Sequence, residues 1–526
     1  MELVTIIKRM IKLKINNQPV EVSEGSTILE AAHQVGVEIP TMCHMEGTEH
    51  FTSCMICLVK DQRNGRLLPS CSMPAADGMD IITDDEECTE SRKAALELLL
   101  SDHVGDCEAP CQLFCPAHMN IPLMNRLIAK GDFAKALQVV KRDIALPAIL
   151  GRICPAPCEA GCRRKQVDDA VAICHLKQFV ADEDLNRTEQ FQPKIQASSG
   201  KRIAVIGAGP AGLATAYYLQ LKGLQVVVFE KNGAGGDLLK INEEVLPSSI
   251  IESEVEVIVK TGVEFRFGKT IDDSEFQKLK SEFDVVILAT GTLDQSGLFG
   301  LKSSKTGIEI DKATYQTSDD KVFAIGNALR PSKLAVRSVG QGKKLAQIID
   351  RMLKTGELKA NPERFNSKFG KLYQIEFNEY LKDSVKTERQ STLKNFTPEE
   401  ARAEAERCMH CDCRNPETCK LREYSDVYSA EQKRFQTSER KIVQKFVGNE
   451  GIVYEPAKCI KCGICVRITQ QYQEEFGFSF IGRGFDVKIG VPFNESVQHA
   501  LKKTAALVAE KCPTGALAMF NAEEQI

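Results

Sequence analysis

The stretch RIAVIGAGPAGLATAYYLQ, residues 202–220, combines a short apolar strand, a glycine-rich turn and the start of a helix. Gly207, Gly209 and Gly212 form the pattern G-x-G-x-x-G. The first glycine allows the tight turn, the second lets a pyrophosphate approach the backbone, and the third lets helix and strand pack closely. The next strand, LQVVVFE, ends at Glu230, where a carboxylate can accept hydrogen bonds from ribose hydroxyls. Together these features predict a Rossmann-like domain that binds NAD or FAD.

The rest of the chain is too long to share one hydrophobic core with this domain. At 526 residues, we expect roughly three to five domains. The net charge of -4, without a long Lys/Arg block, excludes nucleic acid as a ligand. No apolar run reaches the roughly 18 to 20 residues that cross a bilayer, and the first residues do not form a signal-peptide core. The sequence therefore predicts a cytoplasmic protein with no membrane span.

Twenty cysteines are grouped at short C-x2-C and C-x3-C spacings. In a chain without an export signal, such groups indicate metal ligands rather than disulfides. Zinc is an alternative to iron-sulfur clusters, because tetrahedral zinc sites use four cysteines at similar spacings. The individual groups and their surroundings must decide between the two.

The first group follows IKLKINNQPVEVSEGSTILEAAHQVGV, which predicts a hairpin, a turn and an amphipathic helix. Its spacing is C-x10-C-x2-C-x13-C, formed by Cys43, Cys54, Cys57 and Cys71. This pattern resembles the N-terminal module of the complex I large iron-sulfur subunit and its hydrogenase relatives. The resemblance implies a β-grasp, plant-type ferredoxin domain that holds a [2Fe-2S] cluster.

Two further groups lie in DHVGDCEAPCQLFCP and GRICPAPCEAGCRR. The prolines between the cysteines argue against a continuous helix and predict loops wrapped about a ligand. With the helical segment between them, these groups are similar to the N-terminal helical domain of the glutamate synthase small subunit and of dihydropyrimidine dehydrogenase. That resemblance implies two [4Fe-4S] clusters with interleaved ligands.

The order of the motif implies one ligand set of His103, Cys107, Cys111 and Cys162, and a second that contains Cys115, Cys154 and Cys158. The fourth ligand of the second set is left open among Cys174, His175 and Gln178. His103 stands where the family has cysteine. The alternative interpretation of His103 is a surface residue or a helix cap, and the alternative interpretation of Cys174 is a buried core thiol.

The nucleotide turn resembles the FAD domain of the glutamate synthase small subunit through GAGPAGL, FEKNGAGGDLL, VVILATG and KVFAIGNA. FAD is the implied ligand, held by Gly207, Gly209, Pro210, Ala211, Gly212, Glu230, Lys231, Gly236, Gly291, Gly326 and Asn327. In AIGN, Asn327 replaces the usual aspartate. Only about thirty residues lie where the family inserts a nicotinamide domain of on the order of 100 residues, so that domain is predicted to be missing. An FAD domain kept only as a scaffold is the alternative.

The C-terminal part carries two more groups. The spacing C-x2-C-x-C-x5-C of Cys408, Cys411, Cys413 and Cys419 suits one [4Fe-4S] cluster or one zinc ion. The pattern C-x2-C-x2-C with a distant Cys-Pro indicates a bacterial-type ferredoxin cluster, held by Cys459, Cys462, Cys465 and Cys512. The segment FGFSFIGRGFDVKIGVPFNES between them again resembles the complex I large subunit.

The chain is thus predicted to be a multidomain α+β and α/β protein, in which a glutamate-synthase-type flavin unit is nested within a complex I-type module. The predicted domains are a [2Fe-2S] domain at 1–86, a helical double [4Fe-4S] domain at 87–198, an FAD domain at 199–356, a helical connector with a cysteine cluster at 357–450, and a ferredoxin-type domain at 451–526.

The predicted cofactors are FAD, one [2Fe-2S] cluster and three to four [4Fe-4S] clusters. One-electron centres around a flavin are typical of an electron-transfer subunit. The relatives imply a larger soluble, hetero-oligomeric oxidoreductase of the formate dehydrogenase or hydrogenase type. Its implied partners are a catalytic redox subunit and, as a further contact, ferredoxin or an NAD(P)H-binding subunit. No catalytic residue is assigned. The alternatives are a self-contained NAD(P)H oxidoreductase and a cluster-bearing structural or redox-sensing subunit without FAD.

Overall fold

A computed structural model describes residues 9–48, 52–292, 298–382, 384–391, 394–436, 439–448 and 451–519. Within these residues the chain forms two compact units. The first unit is made from Met1–Glu108, Arg364–Tyr380 and Asp412–Gln525, and the second from Ala109–Glu363 and Leu381–Cys411. The second unit is therefore an insertion in the sequence of the first, as the predicted nesting requires.

The first segment of the chain forms a mixed five-stranded sheet with two helices. Its elements are β1 (Met10–Ile15), β2 (Gln18–Ser23), α1 (Ile28–Gln34), β3 (Leu58–Asp61), β4 (Arg66–Pro69), β5 (Asp80–Ile82) and α2 (Glu86–Asp102). The strand order is β2-β1-β5-β3-β4, with β1 antiparallel to β2 and parallel to β5. Ile11, Leu13 and Ile15 are buried and alternate with exposed residues, which fixes the register of β1. The predicted hairpin and helix are confirmed.

The second segment begins with short helices and continues into a parallel sheet. Its elements are α3 (Pro110–Phe114), α4 (Ile121–Ala129), α5 (Phe133–Asp143), α6 (Pro147–Ile153), α7 (Pro157–Ala160), α8 (Ile173–Leu185), β6 (Arg202–Ile206), α9 (Pro210–Leu221), β7 (Gln225–Glu230), α10 (Ser248–Lys260), β8 (Glu264–Phe267), α11 (Asp273–Glu282), β9 (Val285–Leu288), β10 (Ser303–Ser304), β11 (Gly307–Ile308), β12 (Val322–Ala324) and α12 (Ala335–Thr355).

The cysteine-rich parts of this segment, which were predicted to be loops because of their prolines, contain short helices. Pro110 and Pro157 are the first residues of α3 and α7, with Cys111 and Cys158 directly after them. Proline is tolerated at the first position of a helix, because the N-H that it lacks would have no partner within the helix. The prolines therefore start short helices instead of preventing them. Gly131, at a φ of 78°, separates α4 from α5 as predicted.

The sheet of the second unit has the order β12-β9-β6-β7-β8, and its strands are all parallel. Between β9 and β12, the described residues contain only the hairpin of β10 and β11. Residues 293–297 of this connection lie outside the described part of the chain. The predicted Rossmann-like domain is confirmed.

The last segment supplies elements to both units. Its elements are α13 (Gln374–Leu381), α14 (Pro398–Ala405), α15 (Lys420–Val427), β13 (Phe446–Val447), β14 (Ile452–Tyr454), α16 (Ile464–Gln471), β15 (Ser479–Ile481), β16 (Lys488–Gly490), α17 (Val497–Ala500), α18 (Ala505–Lys511) and β17 (Leu517–Met519). Strands β13, β14 and β17 form an antiparallel sheet in the first unit, beside the two-stranded sheet of β15 and β16. In the described ranges, none of the helices is both long enough and apolar enough to cross a membrane. Residues 1–8, part of the start that was compared with a signal peptide, lie outside those ranges.

Candidate cofactor-binding sites

The glycine-rich turn between β6 and α9 is tightly packed on one side and open on the other. A Cβ atom on Gly207 would lie 2.4 Å from the Ala289 carbonyl oxygen, and one on Gly212 would lie 1.9 Å from the Gly207 carbonyl oxygen. A Cβ atom on Gly209 would meet nothing within 4 Å. The turn therefore leaves space at the glycine that a pyrophosphate must approach, and its other two glycines are required by the fold.

Glu230 is held against this turn by two backbone groups. Its carboxylate accepts hydrogen bonds from the Ala208 N-H at 2.8 Å and the Asn232 N-H at 2.9 Å. The side chain is buried at the end of β7, and Pro210 begins α9 directly after the turn. A helix N-terminus and a fixed carboxylate side by side are what a dinucleotide needs for its phosphates and its ribose.

The other predicted FAD contacts lie around the carboxyl ends of the strands. A Cβ atom on Gly236 would lie 3.2 Å from the Gly209 Cα, and one on Gly326 would lie 2.9 Å from the Ala211 Cβ. Gly291 follows β9 and faces open space. The Asn327 Oδ1 accepts a hydrogen bond from the Ser332 N-H at 3.0 Å, so this side chain fixes its own loop. Lys231 is exposed beside Glu230, and nothing in the geometry directs it toward the turn.

The four cysteines of the first group are brought together as predicted. All four are almost completely buried, namely Cys43, Cys54, Cys57 and Cys71. The Cys43 sulfur contacts those of Cys54 and Cys71, and the Cys71 sulfur contacts that of Cys57. The contact with Cys71 lowers the pKa of Cys57 to about 7. Four adjacent sulfur atoms form a donor set suited to a two-iron cluster.

A second group of cysteines lines a cavity in the second unit. The sulfur-bearing residues of its wall are Cys111, Cys162, Cys408 and Cys411, and much of the remaining wall is apolar. This differs from the predicted grouping, which placed Cys408 and Cys411 with Cys413 and Cys419, and put Cys111 and Cys162 with His103 and Cys107. The short spacing from Cys408 to Cys419 was misleading, because the two halves of this run belong to different units.

A buried ionic network fixes the segments that carry two of these cysteines. Arg164 makes a bidentate pair with Asp168 and donates hydrogen bonds to the carbonyl oxygens of Val385 and Arg407. The Arg407 side chain, fully buried, pairs with Asp168 at 2.9 Å and with Glu404 at 2.8 Å. Removing one partner of such a buried pair typically costs about 3 to 5 kcal/mol. The network therefore ties the loop after Cys162 firmly to the chain before Cys408.

A third group surrounds the ammonium of Lys177, which is buried in α8. The sulfur atoms around it are those of Cys115, Cys154, Cys158 and Cys174. The Cys174 sulfur contacts the sulfur atoms of Cys154 and Cys158. Burial alone would lower the pKa of Lys177, but the nearby sulfur atoms, Cys174 foremost, raise it above its usual value.

The other two candidates for the fourth position of this group have contacts of their own. The Gln178 Nε2 donates a hydrogen bond to the Asn395 Oδ1 at 2.8 Å. The His175 ring packs at 6.0 Å, centroid to centroid, from the ring of Phe396. Of the three residues that the sequence left open, Cys174 is the one whose sulfur contacts the sulfur atoms of predicted ligands.

A fourth group lies in the first unit around Cys107, Cys413 and Cys419. The Cys413 N-H donates a hydrogen bond to the Cys107 carbonyl oxygen at 3.2 Å. Burial raises the pKa of the Cys419 thiol, and the nearby thiols of Cys413 and Cys107 raise it further. A Cβ atom on Gly515 would lie 2.2 Å from the Cys413 sulfur, so only glycine fits there. These residues flank the insertion in the sequence and replace the predicted run of four neighbouring cysteines.

His103 caps the C-terminus of α2, but its ring is buried rather than exposed. Its Nδ1 lies 3.1 Å from the Lys458 carbonyl oxygen. Burial, and then the charge of Lys458, lower the pKa of His103 to about 4, so the ring is neutral near pH 7. A neutral imidazole that donates from Nδ1 to a carbonyl keeps the Nε2 lone pair free for a metal.

The fifth group lines a cavity in the first unit. Its sulfur-bearing residues are Cys459, Cys462, Cys465 and Cys512, together with apolar residues such as Ile464, Ile489 and Leu517. The Arg467 Nη2 donates hydrogen bonds to the Cys462 carbonyl oxygen at 3.2 Å and the Cys43 carbonyl oxygen at 3.1 Å. Arg467 therefore joins this group to the first group. The sequence does not predict this role of Arg467, because the position of the residue in the chain does not distinguish it from a surface arginine.

Cys88 belongs to none of these groups. Its buried sulfur donates to the Ile82 carbonyl oxygen at 3.7 Å. Over the part of the chain that the structure describes, no three His, Cys, Asp or Glu side chains are arranged to hold a single metal ion.

Comparison with known protein families gives four matches along the chain. Residues 8–86 match the 2Fe-2S iron-sulfur cluster binding domain, and residues 89–189 match domain II of dihydropyrimidine dehydrogenase, described by its 4Fe-4S cluster. Residues 174–342 match the pyridine nucleotide-disulphide oxidoreductase family, and residues 449–518 match the ferredoxin-like domain of NADH-quinone oxidoreductase subunit 3. The chain contains iron-sulfur domains and an FAD/NAD-type oxidoreductase domain. The resemblances stated from the sequence are confirmed.

Curated relatives match the chain only in part. The β subunit of NADPH-Fe(3+) oxidoreductase from Geobacter sulfurreducens is 34% identical over 46% of this chain and 35% of its own length. The β subunit of NADP(+)-dependent formate dehydrogenase from Moorella thermoacetica is 35% identical over 38% of this chain and 31% of its own. The small chain of glutamate synthase from Bacillus subtilis is 34% identical over 39% of this chain and 42% of its own. The matches thus span about a third of the length of the first two relatives.

Proposed function

We propose that the chain is an electron-transferring iron-sulfur flavoprotein subunit of a larger oxidoreductase of the formate dehydrogenase or hydrogenase type. One observation carries the proposal. The flavin unit is inserted in the sequence between ligand groups of the first unit, so that the ligands of two groups alternate at both junctions. Cys107 of one group precedes Cys111 of another by four residues, and Cys411 precedes Cys413 by two. An insertion at these points connects a flavin domain to a chain of one-electron centres.

The proposed cofactors are FAD, one [2Fe-2S] cluster and four [4Fe-4S] clusters. The [2Fe-2S] ligands are Cys43, Cys54, Cys57 and Cys71. The four cubane ligand sets are Cys111, Cys162, Cys408 and Cys411; Cys115, Cys154 and Cys158 with one further residue; His103, Cys107, Cys413 and Cys419; and Cys459, Cys462, Cys465 and Cys512. A bound flavin accepts or gives up electrons in pairs or singly, whereas each cluster exchanges one.

The chemistry of these residues suits the proposed groups. Cysteine thiolates, in some sites together with histidine imidazole, are the usual donors to iron-sulfur clusters, and the walls of the cavities at Cys111 and at Cys465 are largely apolar. Burial raises the pKa of Cys459 to about 11, so this thiol is protonated in the absence of iron. Loading the site therefore releases protons, as at other thiolate metal sites.

The proposed partner is a separate polypeptide that carries the substrate chemistry. The Geobacter and Moorella relatives are both named as β subunits, so they belong to assemblies of several chains. We extend this to the present chain as a hetero-oligomer with a catalytic redox subunit, and with ferredoxin or an NAD(P)H-binding subunit as a second contact. We place it in the cytoplasm, where free thiols remain reduced.

The second candidate is a self-contained NAD(P)H oxidoreductase of the glutamate synthase type. The family match over residues 174–342 favours it in general terms. The short hairpin between β9 and β12 weighs against it, because a nicotinamide-binding domain needs on the order of 100 residues. A partner must then supply or receive the electrons of the flavin.

Anaerobic reduction of the isolated chain separates the two candidates. We expect dithionite to bleach the flavin and the clusters of the protein purified with its cofactors. NADPH or NADH alone should leave the flavin oxidised for many minutes, because the described residues between β9 and β12 form a hairpin and not a nicotinamide-binding domain. Stopped-flow absorbance of the flavin is the measurement. Bleaching of the flavin by NADPH on the stopped-flow timescale would contradict the proposal of an electron-transfer subunit and support the second candidate.

A further inference from the structure

Helix α8 brings a thiol and an ammonium to the same cysteine group. Cys174 and Lys177 are one helical turn apart, so their side chains lie on the same face of the helix. The Lys177 Nζ lies 3.8 Å from the Cys174 sulfur and donates a hydrogen bond to the Leu150 carbonyl oxygen at 3.2 Å. Both residues are buried, with exposed fractions of 4% for Cys174 and 2% for Lys177.

We propose that Cys174 is the fourth ligand of the cluster held by Cys115, Cys154 and Cys158, and that Lys177 sets the reduction potential of that cluster through its charge. This inference rests on the proposed function, since it presupposes that the group holds iron. It assigns a residue that neither the motif nor the relatives identified. Of the competing candidates, Gln178 donates a hydrogen bond to Asn395, and the His175 ring packs near Phe396.

Two facts of the structure support Cys174 as a ligand. Its sulfur contacts the sulfur atoms of both Cys154 and Cys158, which lie on other elements than α8. A backbone hydrogen bond from the Cys174 N-H to the Glu159 carboxylate, 3.1 Å long, ties the start of α8 to α7. Glu159 is in turn paired with Arg389 at 2.9 Å, so this connection is itself anchored. Cys174 is therefore positioned toward the group rather than packed as an ordinary core thiol.

The role of Lys177 follows from the cost of burying a charge. An ammonium that has left water needs negative charge or hydrogen-bond acceptors around it. The negative groups around Lys177 are the sulfur atoms of Cys174, Cys154, Cys158 and Cys115. A fourth thiolate adds one negative charge to the site, and Lys177 offsets it with one positive charge. A nearby positive charge and an N-H to sulfur contact both favour the reduced cluster and so raise its potential.

The test of the ligand uses single substitutions in the protein purified anaerobically with its cofactors. We expect Cys174→Ala to lose one iron per chain and to show the electron paramagnetic resonance signal of an oxidised three-iron cluster. The matched control is Cys88→Ala, which removes another buried thiol and should keep the iron content and the spectrum of the unsubstituted protein. Gln178→Leu and His175→Ala should also keep them.

The test of the charge uses Lys177→Met and Lys177→Arg. We expect Lys177→Met to shift the potential of this cluster downward by about 59 mV, a tenfold change in the equilibrium constant of a one-electron step. Lys177→Arg keeps the positive charge, so the potential of this cluster should stay close to that of the unsubstituted protein. Potentials of the other clusters, read in the same spectroscopic titration, should not move.

Failure of this inference is distinct from failure of the proposed function. If the unsubstituted protein holds no iron, the proposed function is wrong. If it holds its clusters and Cys174→Ala leaves iron and spectrum unchanged, or Gln178→Leu produces the three-iron signal instead, Cys174 is not the ligand. An unchanged potential in Lys177→Met would overturn the role of Lys177.

Discussion

Replacing Gly209 with valine is expected to abolish flavin binding without unfolding the protein. The residue has an ordinary extended backbone, with φ at -76° and ψ at -178°, and a Cβ atom there would meet nothing within 4 Å. The apo fold should therefore accept valine, with a change in unfolding free energy within about 0.5 kcal/mol. The same space is where a pyrophosphate approaches the backbone. We expect the FAD affinity to fall at least ~100-fold, or about 2.7 kcal/mol.

The paired variant for this measurement is Gly212→Ala. Its Cβ atom would lie 1.9 Å from the Gly207 carbonyl oxygen, so this substitution must disturb the turn itself. It should lower both the thermal stability of the apo protein and its flavin content, whereas Gly209→Val should lower only the second. Flavin retention measured after gel filtration, together with thermal unfolding, distinguishes the two variants. Full flavin occupancy in Gly209→Val would place the nucleotide elsewhere.

Cys162→Ala and Cys408→Ala are expected to remove the same iron-sulfur cluster, although the two residues are far apart in the sequence. Both line the cavity that also contains Cys111 and Cys411. Cys413→Ala, only five residues beyond Cys408, should remove a different cluster, because Cys413 lies in the first unit with Cys107 and Cys419. The expected loss in each case lies between one iron atom per chain, where a three-iron cluster remains, and about four, the size of one cubane.

Low-temperature electron paramagnetic resonance of the reduced variants tests this grouping. The spectra of Cys162→Ala and Cys408→Ala should lack the same signal, and the spectrum of Cys413→Ala should lack another. Cys88→Ala serves again as the control and should match the unsubstituted protein. Identical losses in Cys408→Ala and Cys413→Ala, with a separate loss in Cys162→Ala, would restore the grouping that the sequence order predicts.

The nucleotide turn could be predicted from the sequence because its chemistry is local. Gly207, Gly209 and Gly212 act within a single strand-turn-helix unit, and their spacing alone encodes the turn. The cysteines of the first group and the group at Cys459 are also close enough in sequence for their spacing to be informative. In each of these cases the ligands come from one domain, and the structure brings them together as predicted.

The grouping of the other cysteines depends on contacts that spacing does not encode. Cys408 joins Cys162 because the segment Leu381–Cys411 returns to the second unit, where Arg164 and Arg407 hold it. Buried arginines look like surface residues in a sequence, so the network could not be anticipated. Cys174 was left open for a similar reason, since helix α8 presents several possible donors and only packing selects among them.

Counting electrons in the protein with its cofactors tests the central claim most directly. In an anaerobic titration with dithionite, the chain should take up two electrons at its flavin and one at each of its five proposed clusters. Iron and sulfide analysis of the same sample should account for every cluster, with zinc absent. Uptake of two electrons or fewer, or zinc in place of iron, would contradict the account.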